Sequence, residues 1–326
     1  MQTITDKKDL RIVFMGTPDF AVQSLAALVE GGYNVVGVVT MPDKAIGRHQ
    51  SQVAASPVKQ YAVAHDLPVL QPEKLRDETF LTALRTWQAD LQVVVAFRML
   101  PEVVWAMPPR GTFNLHAALL PQYRGAAPIN WAVINGETQT GVTTFFLDHD
   151  IDTGRIIERV PVPIATTDDA GIVHDKLMTV GADLVVRTVD AVMAGTLSTQ
   201  PQCELAAGQV LRYAPKIFKD TCRIDFTQGA KQVYDFIRGL SPYPAAWTEL
   251  QVGDAKPLTL KIFRTDYVLS QHDDTVGAVI IEDGAMHIAL RDGYLRVLTL
   301  QLAGKKRMEI ADFLNGFHVT DAICVR

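Results

Sequence analysis

The first apolar run, Leu10-Arg11-Ile12-Val13-Phe14-Met15, has the length of one buried strand and stops at Gly16. Pro18 then suits the first turn of a helix, which Phe20, Ser24, Leu25 and Leu28 continue to Gly31-Gly32. Val35-Val36-Gly37-Val38-Val39-Thr40 and Leu91-Gln92-Val93-Val94-Val95-Ala96-Phe97 read as two further strands. Strands that run apolar without alternation, separated by helices, predict a parallel sheet covered on both faces. Such sheets hold ligands beyond the carboxyl ends of their strands. Gly111-Thr112-Phe113 reads as a strand end and Val142–Leu147 as another strand. A long helix is predicted after Asp168-Asp169, with an apolar stripe at Val173, Leu177, Val180 and Leu184 and an end near Gly195. Residues 196–212 are rich in Thr, Ser, Gln, Pro and Gly, lack periodicity and read as a linker.

Beyond 212 the pattern changes. Lys231–Arg238 looks helical, and short strands follow at close spacing: Trp247–Leu250, Leu258–Phe263, Gly277–Ile281, His287–Leu290 and Leu295–Leu300. Gly253-Asp254, Asp283-Gly284 and Asp292-Gly293 supply the turns. That spacing predicts a small antiparallel barrel. The expected architecture is therefore a doubly wound, Rossmann-like α/β domain over 8–195, a linker over 196–212 and a β-barrel domain over 213–326. A length of 326 residues with 48% hydrophobic and 21% charged residues supports two such cores.

No stretch approaches the roughly 18–20 apolar residues of a membrane span, so no membrane partner is expected. Met1–Lys8 is polar and lacks the layout of a signal peptide. Cys203, Cys222 and Cys324 are far apart and form no CxxC pair. Neither a zinc site nor a disulfide framework is supported, and a reducing, cytoplasmic setting fits best. The net charge of −5 is uneven: residues 1–211 carry 16 Lys and Arg against 22 Asp and Glu, residues 212–326 carry 15 against 14. A nucleic acid would meet local patches rather than a basic whole.

The chemistry concentrates in three places. Gly16-Thr17-Pro18-Asp19 follows the first strand but is not GxGxxG. It reads as a tight turn, or as a turn whose backbone faces a substrate. Asn114 and His116 are two apart on an extended strand and share one side. Taken alone, a polar pair at a strand end is more often structural, its groups simply satisfying the backbone. The loop from Ala117 to Pro128, with one Gly and two Pro, is irregular and can offer backbone groups to a flat heterocycle; Pro128 opens a helix over Ile129–Ile134. Asp148-His149-Asp150-Ile151-Asp152-Thr153-Gly154 is an acidic loop without EF-hand spacing, and no metal is expected there.

Read together, Asn-x-His, x-Leu-Leu-Pro (Ala118–Pro121), Arg-Gly-Ala-Ala-Pro-Ile-x-Trp (Arg124–Trp131) and Asp-Thr-Gly (Asp152–Gly154) are similar to the signature of the folate-dependent formyltransferase family. His116 and Asp152 are 36 residues apart, as in that family. Gly16–Ala21, Ser56–Lys59, Tyr213–Ile217, Arg238–Trp247 and Ala303–Lys306 resemble its branch that acts on methionyl-tRNA. The likeness runs from about Leu10 to Gly316. It implies an OB-like second domain and transfer of the formyl group of 10-formyltetrahydrofolate to the amine of methionine on initiator tRNA. The alternative acceptor is a small amine, a sugar nucleotide or glycinamide ribonucleotide. The resemblance places catalysis on Asn114, His116 and Asp152. It places folate against Ala118, Leu119, Leu120, Pro121, Phe97, Arg98 and Leu100, and tRNA against Lys44, Arg48, Lys305, Lys306 and Arg307. Three departures stand out. Ala117-Ala118 replaces a usual Pro-Ser, Asp150-Ile151 replaces Gly-Leu, and the loop 44–51 is poorer in lysine.

Overall fold

The computed structural model describes residues 3–46, 52–317 and 323–325. Two compact units are present. One comprises Met1–Gly125, Thr140–Val162 and His174–Tyr213; the other comprises Ala126–Gln139, Pro163–Val173 and Ala214–Arg326.

The first unit is built on a seven-stranded sheet. Its strands are β1 (Arg11–Gly16), β2 (Asn34–Val39), β3 (Val69–Leu70), β4 (Leu91–Val95), β5 (Thr112–His116), β6 (Gln139–Phe146) and β7 (Ile156–Pro163), in the spatial order β7-β6-β5-β4-β1-β2-β3. Every residue of β4 is buried, as are Ile12 to Gly16 of β1, because helices cover both faces of these central strands. β1 pairs in parallel with β2 and β4; β2–β3 and β4–β5 are also parallel, whereas β6 lies antiparallel to β5. The chain runs outward from β1 to β3 and returns to β4, so the order reverses between β1 and β4. Ligands of doubly wound sheets sit beyond the strand ends at such a reversal.

The crossover helices α1 (Asp19–Glu30), α2 (Pro57–Ala64) and α3 (Glu78–Thr86) start where the sequence supplies caps. Ser56 Oγ accepts from Lys59 N, and Asp77 Oδ1 accepts from Thr79 N and Phe80 N. At the reversal Gly16 leaves no room for a side chain: a Cβ would lie 2.7 Å from Ala21 Cβ and 2.9 Å from the Val95 carbonyl. The outer strand β7 was not evident from the sequence. It carries Pro161 and Pro163, which an edge position tolerates because one side of the strand needs no donors. The long helix α4 (Ala170–Ala194) begins as expected, with Asp169 Oδ1 accepting from Ile172 N. Within 196–212 the chain forms a short helix, α5 (Gln202–Ala206), and Gln200 and Ile156 exchange both backbone hydrogen bonds at 2.9 Å.

The second unit is an antiparallel barrel that closes almost completely. Its strands are β8 (Ala246–Val252), β9 (Leu258–Leu269), β10 (Val279–Glu282), β11 (Ala285–Leu290), β12 (Gly293–Leu302) and β13 (Ile323–Val325), ordered β10-β11-β12-β9-β8-β13. Val325 N donates to the Gly277 carbonyl, and Ala278 bridges Cys324, which brings the two ends of the sheet together. Helix α6 (Ala230–Leu240) buries Val233, Ile237 and Leu240 against Leu260, Ile262, Leu295 and Leu300 of the barrel.

The helical segment Pro128–Ile134 also packs on α6. There Gly239 is essential, since a Cβ would sit 2.5 Å from Ile134 Cγ1 and 2.7 Å from its backbone nitrogen. Gly→Ala inside a helix ordinarily stabilises by about 0.5–1 kcal/mol. Gly239→Ala is expected to do the opposite, lowering stability by about 1–3 kcal/mol through overpacking. A lowered urea midpoint at unchanged slope reports it.

Candidate active site

The site is set by the carboxyl ends of β4 and β5 and the loop between β6 and β7. On β5, Asn114 opposes Val94 on one side and Phe145 on the other, and His116 opposes Thr143. Alternation puts the Asn114 and His116 side chains on one face, their Cα atoms about 6.6–6.8 Å apart by strand geometry. The half-buried Asn114 amide makes no hydrogen bond to any described residue.

His116 is buried and oriented from behind. Its Nε2 donates to the Tyr123 carbonyl at 2.9 Å, which fixes the proton on that nitrogen and turns Nδ1 toward Asp152. His116 Nδ1 lies 3.8 Å from Asp152 Oδ2. That gap is too long for a direct hydrogen bond and leaves the pair open to a third group. Asp152 Oδ2 also accepts from Gly125 N at 3.0 Å, while its Oδ1 has no partner among the described residues. The carboxylate thus carries one oxygen anchored by backbone and one free.

Three non-glycine residues here hold left-handed backbone: Ala96 (φ 46°), Tyr123 (φ 59°) and Asp152 (φ 55°). Asp adopts this region readily; for Tyr and Ala it costs about 1–3 kcal/mol and persists only where the surroundings enforce it. Tyr123 has a clear reason, because its carbonyl must face His116. Gln202, 3% exposed, lies against the turn at Asp152. Its Nε2 donates to the Asp152 and Gly154 carbonyls, both at 2.8 Å, and its Oε1 accepts from Arg124 Nε at 3.0 Å and Nη2 at 2.6 Å.

The folate-side residues divide into two sets. Ala118, Leu120 and Pro121 are buried and Leu119 partly so, but much of that loop's backbone is already occupied. Thr143 Oγ1 donates to the Ala118 carbonyl at 2.6 Å and accepts from Leu120 N at 3.1 Å, while Arg159 donates to the Leu120 carbonyl at 3.1 Å. By contrast, the main chain of Phe97–Leu100 belongs to no helix or strand and exchanges no hydrogen bond with a described residue. Leu100 is core, with Phe97 packed against the same cluster. The Arg98 guanidinium donates to the Pro72 and Glu73 carbonyls, and burial pushes its pKa below the ordinary arginine value. A cavity of about 480 Å³ runs along β7, lined by Leu119, Ile156, Arg159, Pro161, Thr199 and Gln200; it includes none of Asn114, His116 and Asp152.

Of the basic residues, Lys44 is exposed on a short hairpin strand (Lys44–Ile46). Just before it, Asp43 accepts from Lys59 at 2.5 Å and from Gln71 at 2.7 Å, contacts that hold its carboxyl below the ordinary range. Arg48 lies outside the described residues. Lys305, Lys306 and Arg307 are exposed at the turn after β12, with Arg307 stacked 4.1 Å over the Phe263 ring. Among the described residues no cluster of His, Cys, Asp and Glu could hold a metal ion, and no helix is long and apolar enough to cross a membrane. Sequence reasoning missed Thr143, Gly125 and Gln202 as members of the site. Gly125 stood inside a recognised motif, whereas Thr143 and Gln202 carry no local signal.

Residues 10–189 match the family described as formyl transferase, and residues 216–318 match its C-terminal domain. The methionyl-tRNA formyltransferase of Parabacteroides distasonis is 64% identical over 313 residues, covering 95% of this chain and 97% of that protein. The enzyme of the same name from Bacteroides fragilis is 62% identical over 318 residues, covering 97% and 98%. Among solved structures, the sugar 3N-formyl transferase WlaRD, determined with dTDP and 5-N-formyl-THF, shares the fold with a TM-score of 0.63 at 17% identity, covering 91% of this chain and 99% of that one.

Proposed function

The chain belongs to the formyl transferase family, and from that premise we propose that it moves the formyl group of 10-formyltetrahydrofolate onto the amino group of methionine esterified to initiator tRNA, for translation initiation in the cytoplasm. The observation that carries the reading is the juxtaposition of an Asn114 amide without a hydrogen-bond partner among the described residues with a His116–Asp152 pair held open at 3.8 Å. Full-length identity above 60% to enzymes named for the methionyl-tRNA acceptor supports that acceptor over a sugar amine.

The formyl donor is a substrate, consumed once per turnover. Asn114 donates its neutral amide N–H to the formyl oxygen as negative charge develops there, and His116 becomes a second donor when Nδ1, the nitrogen not used by the Tyr123 carbonyl, also carries a proton. Preorganised donors of this kind are worth about 2.7–4 kcal/mol each. Asp152, through its free Oδ1, takes the proton that the attacking amine releases. The His116–Asp152 pair returns a proton to the folate nitrogen that leaves. The bond formed is amine nitrogen to formyl carbon, the bond broken is formyl carbon to folate nitrogen, and no side chain is covalently modified. Aligning the two substrates supplies much of the remaining acceleration. The main chain of Phe97–Leu100, which pairs with no described residue and lies at the end of the central strand β4, suits the polar edge of a pterin, and Ala118–Pro121 supplies apolar wall.

The barrel unit, with Lys305, Lys306 and Arg307, and in the first unit Lys44 on its hairpin strand together with Arg48, hold tRNA phosphates. Such contacts position the RNA without reading sequence. Neutralising Lys305, Lys306 and Arg307 together should weaken RNA binding and flatten the slope of log K against log salt by about 0.7–0.9 per charge removed. A slope that stays at the wild-type value places the RNA elsewhere. The acceptor itself is tested by offering the formyl donor with charged initiator tRNA, a sugar-nucleotide amine or glycinamide ribonucleotide. Formyl transfer to the methionyl ester alone is expected; transfer to either small amine instead supports the alternative.

A further inference from the structure

We infer that Gln202 is a positioning residue for Asp152, acting from a segment outside every recognised motif; the inference rests on the formyl-transfer reading of the site. Four observations carry it. Gln202 is almost fully buried, and its amide uses every hydrogen-bonding position it has. Both donors go to carbonyls of the loop that bears Asp152, those of Asp152 itself and Gly154. Both acceptor positions go to Arg124, the neighbour of Gly125, whose N–H anchors Asp152 Oδ2. One amide therefore ties together the two chain segments that fix the carboxylate, at the point where Asp152 takes the left-handed backbone (φ 55°) that aims it at His116.

The location explains how the amide can do this. Gln202 opens α5, and two residues earlier Gln200 pairs with Ile156 at the start of β7, so its Cα is registered directly against the Asp-Thr-Gly loop. An apolar side chain of the same size would leave two loop carbonyls and the Arg124 guanidinium without partners. The loop would then relax toward ordinary right-handed backbone and carry the carboxylate away from His116. Displacements of about 1 Å in positioning groups cost on the order of 10²-fold in rate.

The test uses the full-length enzyme, comparing Gln202→Met in the wild-type and Asp152→Ala backgrounds. Gln202→Met is expected to lower kcat by about 10- to 100-fold with KM for both substrates little changed, and to cost nothing further once Asp152 is alanine. In the free enzyme, the amide resonance of Gly125 should move toward the position it has in Asp152→Ala. Gln202→Glu keeps the acceptor for Arg124 and the side-chain volume while losing the donors to the carbonyls; it serves as the second variant if Gln202→Met folds poorly. An equal loss in both backgrounds, no loss in either, or an unmoved Gly125 resonance overturns the inference. Failure of the wild-type enzyme to formylate methionyl-tRNA would instead remove the functional reading, with the Gly125 measurement still deciding whether Gln202 positions Asp152.

Discussion

Replacing Asn114 with alanine is expected to lower kcat by about 10²- to 10³-fold while leaving the unfolding transition where it is. The rate loss follows from removing one preorganised donor to a developing oxyanion. The unchanged stability follows from the structure, because the Asn114 side chain makes no hydrogen bond to any described residue and its removal orphans nothing. His116→Ala and Asp152→Asn remove proton transfer, which is worth about 10²–10⁴-fold. Asp152→Asn has the milder structural consequence, since an amide oxygen can still accept from Gly125 N. His116→Ala leaves the Tyr123 carbonyl unpartnered by imidazole, so a loss of about 1–3 kcal/mol of stability should accompany its loss of rate. Steady-state kinetics beside urea unfolding separates the two effects. Near-normal turnover in all three variants would reject the assignment.

Gly154→Ala is the second large effect, and it should act on structure and rate together. A Cβ at Gly154 would lie 1.7 Å from the Phe146 carbonyl oxygen and 2.9 Å from its carbon. The obstacle is backbone of β6, which cannot swing aside as a side chain could. Overpacking typically costs about 1–3 kcal/mol and occasionally more; with backbone as the obstacle, about 3 kcal/mol or above is expected. Because Gly154 follows Asp152 by two residues and shares its Gln202 contact, the displaced loop carries the carboxylate with it. A drop in the urea midpoint together with a kcat loss of the order of 10²-fold is the predicted pair. A stable, active Gly154→Ala enzyme would mean that the Asp-Thr-Gly loop is not held as described.

The parts of this molecule that sequence made legible are those that local physics controls. β1, β2 and β4 were visible as apolar runs because buried parallel strands need no alternation. Helix α4 and its aspartate cap, the barrel strands and their turns followed from periodicity and turn chemistry in the same way. The pairing of Asn114 with His116 followed from strand alternation alone, and a family signature added Asp152. What stayed hidden depends on distant contacts. β7 was obscured by its prolines, which only an edge position excuses. Gln202 sits in a polar, aperiodic stretch, and nothing about a glutamine there announces that it will meet Asp152, 50 residues away. Nothing local to Gly239 marks it as indispensable; the requirement comes from Ile134, more than 100 residues earlier in the chain, which leaves no room for a Cβ. Resemblance alone places Arg98 on the folate side; that its guanidinium donates to the Pro72 and Glu73 carbonyls is set by tertiary geometry and has no local signal.

The claim that amide, imidazole and carboxylate act as one unit on a single carbonyl is tested most directly by the single-turnover rate of formyl transfer in Asn114→Ala, Asp152→Asn and the double variant. Groups that work as a unit are strongly non-additive. The account predicts that the double variant is scarcely slower than the slower single one. A double variant whose loss equals the product of the two single losses would contradict it, because the two side chains would then be acting independently.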